Sequence, residues 1–386
     1  MKKADTWARH DTQWRNPAQV VSLWPGAASV DKTLLRFRVT GHWWGLLEEL
    51  GITLLVTREY EHLVVALSAT RGKIRQSFLP MPHPSGLTID RETNTVFLAS
   101  TRNPNQVLML KPALGLLDRT DSAALLPQGQ PLLPVRSEYY PGCLYLHDLA
   151  IVSGRLLANA VGQNAIIRLD GEGKFEPVWW PRCVESEGGP RFDRNEIQLN
   201  SIAAGPSLSQ SFFTASSASI GRRRPGHLDY RVDGLGVVFS GQSRDPVCGG
   251  LTRPHSARLW KNRVWLANSG YGELGFVRNG AFEMAARLPG WTRGLCITRG
   301  IAFVATSRVI PAYACYAPGL DVARSRCAVH AVSVKTGEIL GSLGWPAGNQ
   351  VFAVDWISNR TTQGFAFESG KRRTGHERNF FYRAIT

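Results

Sequence analysis

The stretch 254-PHSARLW-260 sets a histidine and a serine at the head of a short apolar run, and its form recurs along the chain. The relatives are 84-PSGLTID-90, 146-LHDLAIV-152, 199-LNSIAAG-205, 292-TRGLCIT-298 and 352-FAVDWIS-358. Each opens on one or two polar or turn-type residues and passes into a short strand. In the first five, in chain order, a second strand follows and usually a third, several copies closing on glycine turns such as DGEGK, RNGA and KTGE. A unit of roughly 40–60 residues built from about four strands is the pattern of a propeller blade. The last copy, near Val354, has too little chain after it to complete a blade. The missing strands stand at the front, in 51-GITLLVTR-58, 62-HLVVALSA-69 and 73-KIRQSFLP-80. A blade shared by both termini closes the ring and leaves no open sheet edge. The expectation is therefore an all-β chain: residues 1–50 an N-terminal extension with a short helix, and 51–386 one six-bladed β-propeller. The helix is 43-WWGLLEELG-51, with Gly51 as its stop. A β-sandwich with a second domain is the alternative for a chain of this length.

In a propeller the first strand of each blade lines the central channel, so the leading residues of the repeats meet at its mouth. The expected ring is Ser85, His147, Asn200, His255, Arg293 and Ala353, with Asp148 one residue further in. Neutral imidazole and amide donors on alternate blades suit a transition metal such as iron, copper or zinc. His147, His255, Asn200 and the nearby Gln198 are the candidate ligands. Three protein ligands leave positions open, as a catalytic metal requires. Arg293 is the candidate clamp for a carboxylate, phosphate or sulfate. Asp148 is read as a catalytic residue or an orienter of a ligand, and Glu273 as a general base or a turn cap. Asn268, Arg102, Gln163 and Ser85 are candidates to bind the substrate.

Composition sets the partner class. The chain has 386 residues and a formal net charge of +15, with 43% hydrophobic and 19% charged residues. The charge favours an anionic small molecule or an acidic peptide. Its densest clusters, 221-GRRRPGH-227 and 370-GKRRTGHER-378, lack the interleaved aromatics of a base-stacking surface, so nucleic acid is disfavoured. No apolar run is long enough for a membrane span, and no apolar segment follows the N-terminal lysines as in a secretory signal. The six cysteines form no CxxC pair and are read as reduced thiols of a cytoplasmic protein. Phosphate-loop, dinucleotide and serine-hydrolase signatures are absent.

Several of these segments together resemble an uncharacterised bacterial propeller family: 147-HDLA-150, 199-LNSIA-203, 253-RPHSARLW-260, 268-NSGYGELG-275 and 289-PGWTRGL-295. The resemblance runs from about Gly51 to the end and implies the propeller fold. Two positions depart from the family pattern: Gln198 stands where His is usual before Leu-Asn, and Asn268 where Asp is usual before Ser-Gly. If that histidine is a ligand, Gln198 weakens or alters metal binding here. The layout is more distantly similar to gluconolactonase and strictosidine-synthase propellers. The expected function is a metal-dependent enzyme, of redox or lyase type, acting on an anionic small molecule or peptide at the channel mouth. The alternative is a non-catalytic scaffold for an acidic partner.

Overall fold

The computed structural model describes residues 30–365 except 103–104, 114–115, 118–129, 224 and 226–229, together with 367–368 and 382–383. Residues 224, 226 and 227 of the loop 221–227 and the whole basic tail 370–378 lie outside the described residues.

Six antiparallel sheets of four or five strands surround one channel. Blade 1 is the closure. Val354–Ser358 pairs with Ile52–Arg58, which continues through Leu63–Thr70 to Lys73–Pro80. Val56 faces Val354 and Ile52 faces Ser358, so the two ends of the chain are zipped over five residue pairs. Blades 2 to 6 begin with Pro84–Asp90, Leu146–Val152, Leu199–Ala203, Pro254–Trp260 and Trp291–Thr298. These are the repeats of the sequence, and their apolar positions fill the space between neighbouring sheets.

The described residues before Gly51 are built into the ring. Arg38–Gly41 pairs with Ile339–Gly344 as a fifth strand of blade 6. The helix Trp43–Leu50 buries Trp43, Leu46 and Leu47 between blades 6 and 1, with Trp43 edge-on to Phe303 at 5.8 Å. Gly51 ends that helix at φ 64°, where its N–H reaches the carbonyls of Leu47 and Glu48. Downstream, Phe367–Glu368 adds a fifth strand to blade 1. No helix among the described residues is long and apolar enough to cross a membrane.

Each of blades 2 to 6 carries a bulge at the head of its first strand, where register slips between Pro84 and Leu87, Leu146 and Leu149, Leu199 and Ser201, His255 and Arg258, and Thr292 and Leu295. A bulge re-aims a side chain and ends pairing locally. In blade 6 this takes Gly294 to φ 76°, a left-handed conformation that favours glycine, with Val354 and Ala353 packed close against it.

The residues beside the bulges stitch the blades together. Ser85 Oγ donates to the Leu146 carbonyl at 2.7 Å, and Asp148 accepts from the Ile202 N–H at 3.0 Å. Ser201 Oγ accepts from the Ala257 N–H at 2.8 Å, and Ser256 Oγ from the Gly294 N–H at 2.7 Å. Buried backbone groups left unpaired by the bulges are satisfied this way. The belt explains why small polar residues recur at these positions.

Candidate functional site

The bulges bring His147 and His255 to the channel mouth, their ring centroids 6.1 Å apart. The Phe352 ring stands edge-on to both, at 5.3 and 5.6 Å. Phe352, rather than the expected Ala353, therefore supplies blade 1's side chain at the mouth. Arg293 lies over the same ring at 3.6 Å. Its Nε donates to His255 Nε2 at 3.2 Å, and the His255 Nδ1 faces Ser256 Oγ at 2.9 Å. Since the guanidinium has no lone pair to offer, Nε2 is the acceptor and the proton sits on Nδ1. Burial pushes the pKa of both imidazoles well below the usual value, and the Arg293 charge adds to it. Both rings are neutral at pH 7.

Arg253, in the same short segment as His255, reaches across to blade 4 and donates through Nη1 to Gln198 Oε1 at 2.5 Å. Its guanidinium lies 4.6 Å from the Tyr316 ring centroid. Arg253 and Arg293 both have pKa values lowered to about 10, first by burial, so both remain charged. Among the described residues no carboxylate is within ion-pair reach of either. They open, with Arg308, onto a pocket of about 160 Å³ walled by Tyr60, Trp291, Tyr313 and Tyr316. Tyr313 and Tyr316 stack nearly parallel, 12° apart in plane. Asn349 and Gln350 complete the wall, their N–H groups held by Glu61 Oε1.

The residues expected at the site fall into two groups. Brought to the mouth are His147, His255, Asn200, Arg293 and Gln198; Arg102 approaches from blade 2, with its Nε 3.5 Å from Glu59. Asn200 donates to Ser216 Oγ and the Pro254 carbonyl, leaving Oδ1 without a partner, as is His147 Nδ1. Gln163 Oε1 is likewise buried and unpartnered on its short 3-10 turn.

The second group is held in the scaffold. Asp148 is gripped by Arg258 through both oxygens, at 2.7 and 3.1 Å, and belongs to the belt between blades. Ser85 is fully buried in that belt. Asn268 accepts from the Thr252 N–H and donates to Glu273, and Glu273 is paired with Arg287 at 2.8 Å. The expected roles of Asp148, Glu273, Asn268 and Ser85 meet residues whose polar atoms are already engaged.

Sequence reading overlooked Arg253, Arg308, Glu59 and the tyrosines. Arg253 carried a signal, since it stands one residue before the repeat that begins at Pro254. Tyr313 and Tyr316 lie in the loop between Ile301–Ser307 and Ala328–Ser333, and Tyr60 lies in the turn after Ile52–Arg58.

The metal expectation can be set against these donors. His147 Nδ1 and Asn200 Oδ1 are free, but His255 has both nitrogens engaged and Gln198 Oε1 accepts from Arg253. Among the described residues no group of three or more His, Cys, Asp or Glu is placed to hold a metal ion. Two guanidiniums beside neutral donors fit an anion better than a cation.

Fold and site together define a six-bladed propeller with a cationic channel mouth. The chain belongs to the family described as Domain of unknown function (DUF4915), whose model matches residues 41–364. A search of curated proteins returns no significant match. Among solved structures it is similar to a chain of the nidogen/laminin complex, at 8% identity and a TM-score of 0.52, covering 81% of this chain and 100% of that one. A gluconolactonase from Xanthomonas campestris is similar at 15% identity and a TM-score of 0.43, over 69% of this chain and 77% of that one. A streptogramin B lyase is similar at 13% identity and a TM-score of 0.42, over 81% and 99%. The first of these likenesses concerns the fold alone, and the other two are weaker still.

Proposed function

We propose that this protein is an enzyme that binds an anionic small molecule at the channel mouth, with Arg293 and Arg253 as the primary anion contacts and Arg308 at the rim. One observation carries the reading: two charged guanidiniums are drawn into a pocket with no carboxylate within ion-pair distance, Glu59 acting on Arg293 only from further away. A charge held that way is costly unless a ligand compensates it, and a planar fork suits the oxygens of a carboxylate, phosphate or sulfate. The aromatic wall offers the rest of the ligand an apolar face. The pocket volume favours a small molecule over an acidic protein partner. Calorimetric titration with sulfate, phosphate and simple carboxylates tests the reading. At least one should bind in a salt-sensitive way and lose affinity in Arg293→Ala; no binding across the panel overturns it.

A second reading is supported by the two unpartnered atoms, His147 Nδ1 and Asn200 Oδ1. A transition metal (iron, copper or zinc) on these residues would require Arg293 to release His255. It would supply Lewis-acid or redox chemistry beside the anion. Elemental analysis of protein purified without an affinity tag tests it, with loss of metal in His147→Ala as the expected result.

A further inference from the structure

Glu59 immediately precedes Tyr60 of the pocket wall, acts on Arg293 through its charge, and has no ligand-binding role in the reading above. It leads the loop that also places Tyr60 in the pocket wall, and it is only 4% exposed. Its surroundings come from every element packed against it. From its own loop come Tyr60, Glu61 and His62; from blade 2, His83 with Nδ1 at 3.8 Å and Arg102 with Nε at 3.5 Å; from blade 6, Arg293; and from the closing segment, the amide of Gln350. The contact with Arg102 is exposed on the arginine side, and neither cation is within hydrogen-bond reach of the carboxyl. Glu59 is thus a buried carboxyl that depends on cations at a distance, and one of them, Arg293, is the group to which an anion would bind.

We propose that Glu59 is the acid–base group of this pocket: it takes up a proton from solvent when an anion occupies Arg293, and so stands protonated beside the bound ligand. This rests on the anion-site reading above. An arriving anion cancels the charge that favours the carboxylate and adds one of like sign, and both effects favour the neutral acid. Burial already raises the Glu59 pKa above the usual carboxylate value, while Arg293 and then Arg102 oppose that rise. Removing their pull leaves desolvation dominant. A carboxyl poised in this way can donate its proton to the ligand and recover it afterwards, which is the behaviour expected of a general acid.

Sulfate is the probe, because it does not itself titrate near neutrality. Calorimetry at pH 7 in two buffers of different ionisation enthalpy counts protons taken up per sulfate bound. Wild type should take up a measurable fraction of a proton. Glu59→Gln should bind sulfate without that uptake, and about tenfold more tightly at pH 8, as expected on removing one like charge in a partly screened site. The two affinities should converge as pH falls and the wild-type carboxyl takes up its proton. Uptake that persists in Glu59→Gln, carried then by His62 or His83, overturns the proposal while leaving the anion site standing. Absence of sulfate binding by the wild type, or binding unaffected by Arg293→Ala, overturns the anion-site reading and this proposal with it.

Discussion

The two ends of the channel use the same side chain in opposite ways. At the lower end, Arg258 grips Asp148 and Arg91 meets Asp355 at 2.8 Å, within a cavity of about 360 Å³ lined mostly by aliphatic residues and two tryptophans. At the upper end, Arg253 and Arg293 contact imidazole, amide and aromatic groups, and the one carboxylate that acts on Arg293, Glu59, lies beyond ion-pair distance. Charge below is balanced within the fold. Charge above is balanced only in part, by Glu59 at a distance. The lower end is scaffold, and the upper end is where binding is to be sought.

Breaking the lower pair should have the largest effect. Asp148 also accepts from the Ile202 N–H, and it is 3% exposed. Asp148→Ala leaves the Arg258 charge uncompensated in the belt and should cost about 3–5 kcal/mol, the usual penalty for removing one partner of a buried pair. Urea unfolding checks it. A loss below about 1 kcal/mol would mean that the belt does not depend on this pair.

The same contrast applies to the imidazoles. His330 lies in the wall of blade 6, 4% exposed, with Thr306 Oγ1 at 3.1 Å and Ser342 Oγ at 2.8 Å. Burial lowers its pKa from 6.5 to about 4, with Arg326 adding to the shift. The unfolded chain therefore binds a proton that the folded chain refuses between those two values. Stability present above pH 6.5 is lost as pH falls toward 4. Integrated over that window the loss is roughly 3 kcal/mol. His330→Gln should flatten the stability profile by about that amount, as read from denaturant midpoints at a series of pH values. An unchanged slope would assign the acid sensitivity to the mouth histidines instead.

How much of this was legible in the sequence follows the same division. The blades, their number and their closure were visible because strand heads repeat, and repetition survives even where no single strand is distinctive. The leading residues of those heads were legible too, so His147, His255, Asn200 and Arg293 were placed at the mouth before any coordinates. What failed to show is partnering. Asp148 and His147 are adjacent in sequence, and only the bulge sends one into the belt and the other to the channel. Glu273 has the composition of a catalytic base, but its neighbour Arg287 comes from the next strand of the hairpin and takes its carboxylate. Tyr313 and Tyr316 lie in one loop and Tyr60 in another, both outside the repeated strand heads, so repetition does not reveal them.

The upper end responds through binding instead of folding. Arg293→Ala should weaken sulfate binding by about 1.5–3 kcal/mol, the range for a hydrogen bond to a charged group. Its thermal midpoint should fall by less than that of Asp148→Ala, because Arg293 acts on the Glu59 carboxylate only beyond ion-pair distance. A drop in stability like that of Asp148→Ala would erase the distinction between the two ends.

The smallest effect is expected at the lower rim, and it tests whether pairing or burial makes the difference. Arg91 and Asp355 form an ion pair of the same length as the Arg258 pair, within 0.1 Å, but the Arg91 side chain is 46% exposed. The guanidinium also lies 4.5 Å from the Trp356 ring centroid and makes a longer contact with the Trp356 carbonyl. Water reaches this pair, so most of its Coulomb attraction is screened, and the stacking on Trp356 is worth a fraction of what it would be in a dry site. Arg91→Ala should therefore cost less than about 1 kcal/mol. It should also cost less in high salt, whereas the Asp148→Ala penalty should be nearly salt-independent. Equal penalties for the two variants at both ionic strengths would show that the lower ion pairs act by geometry alone, and that exposure does not explain the contrast between the channel's ends.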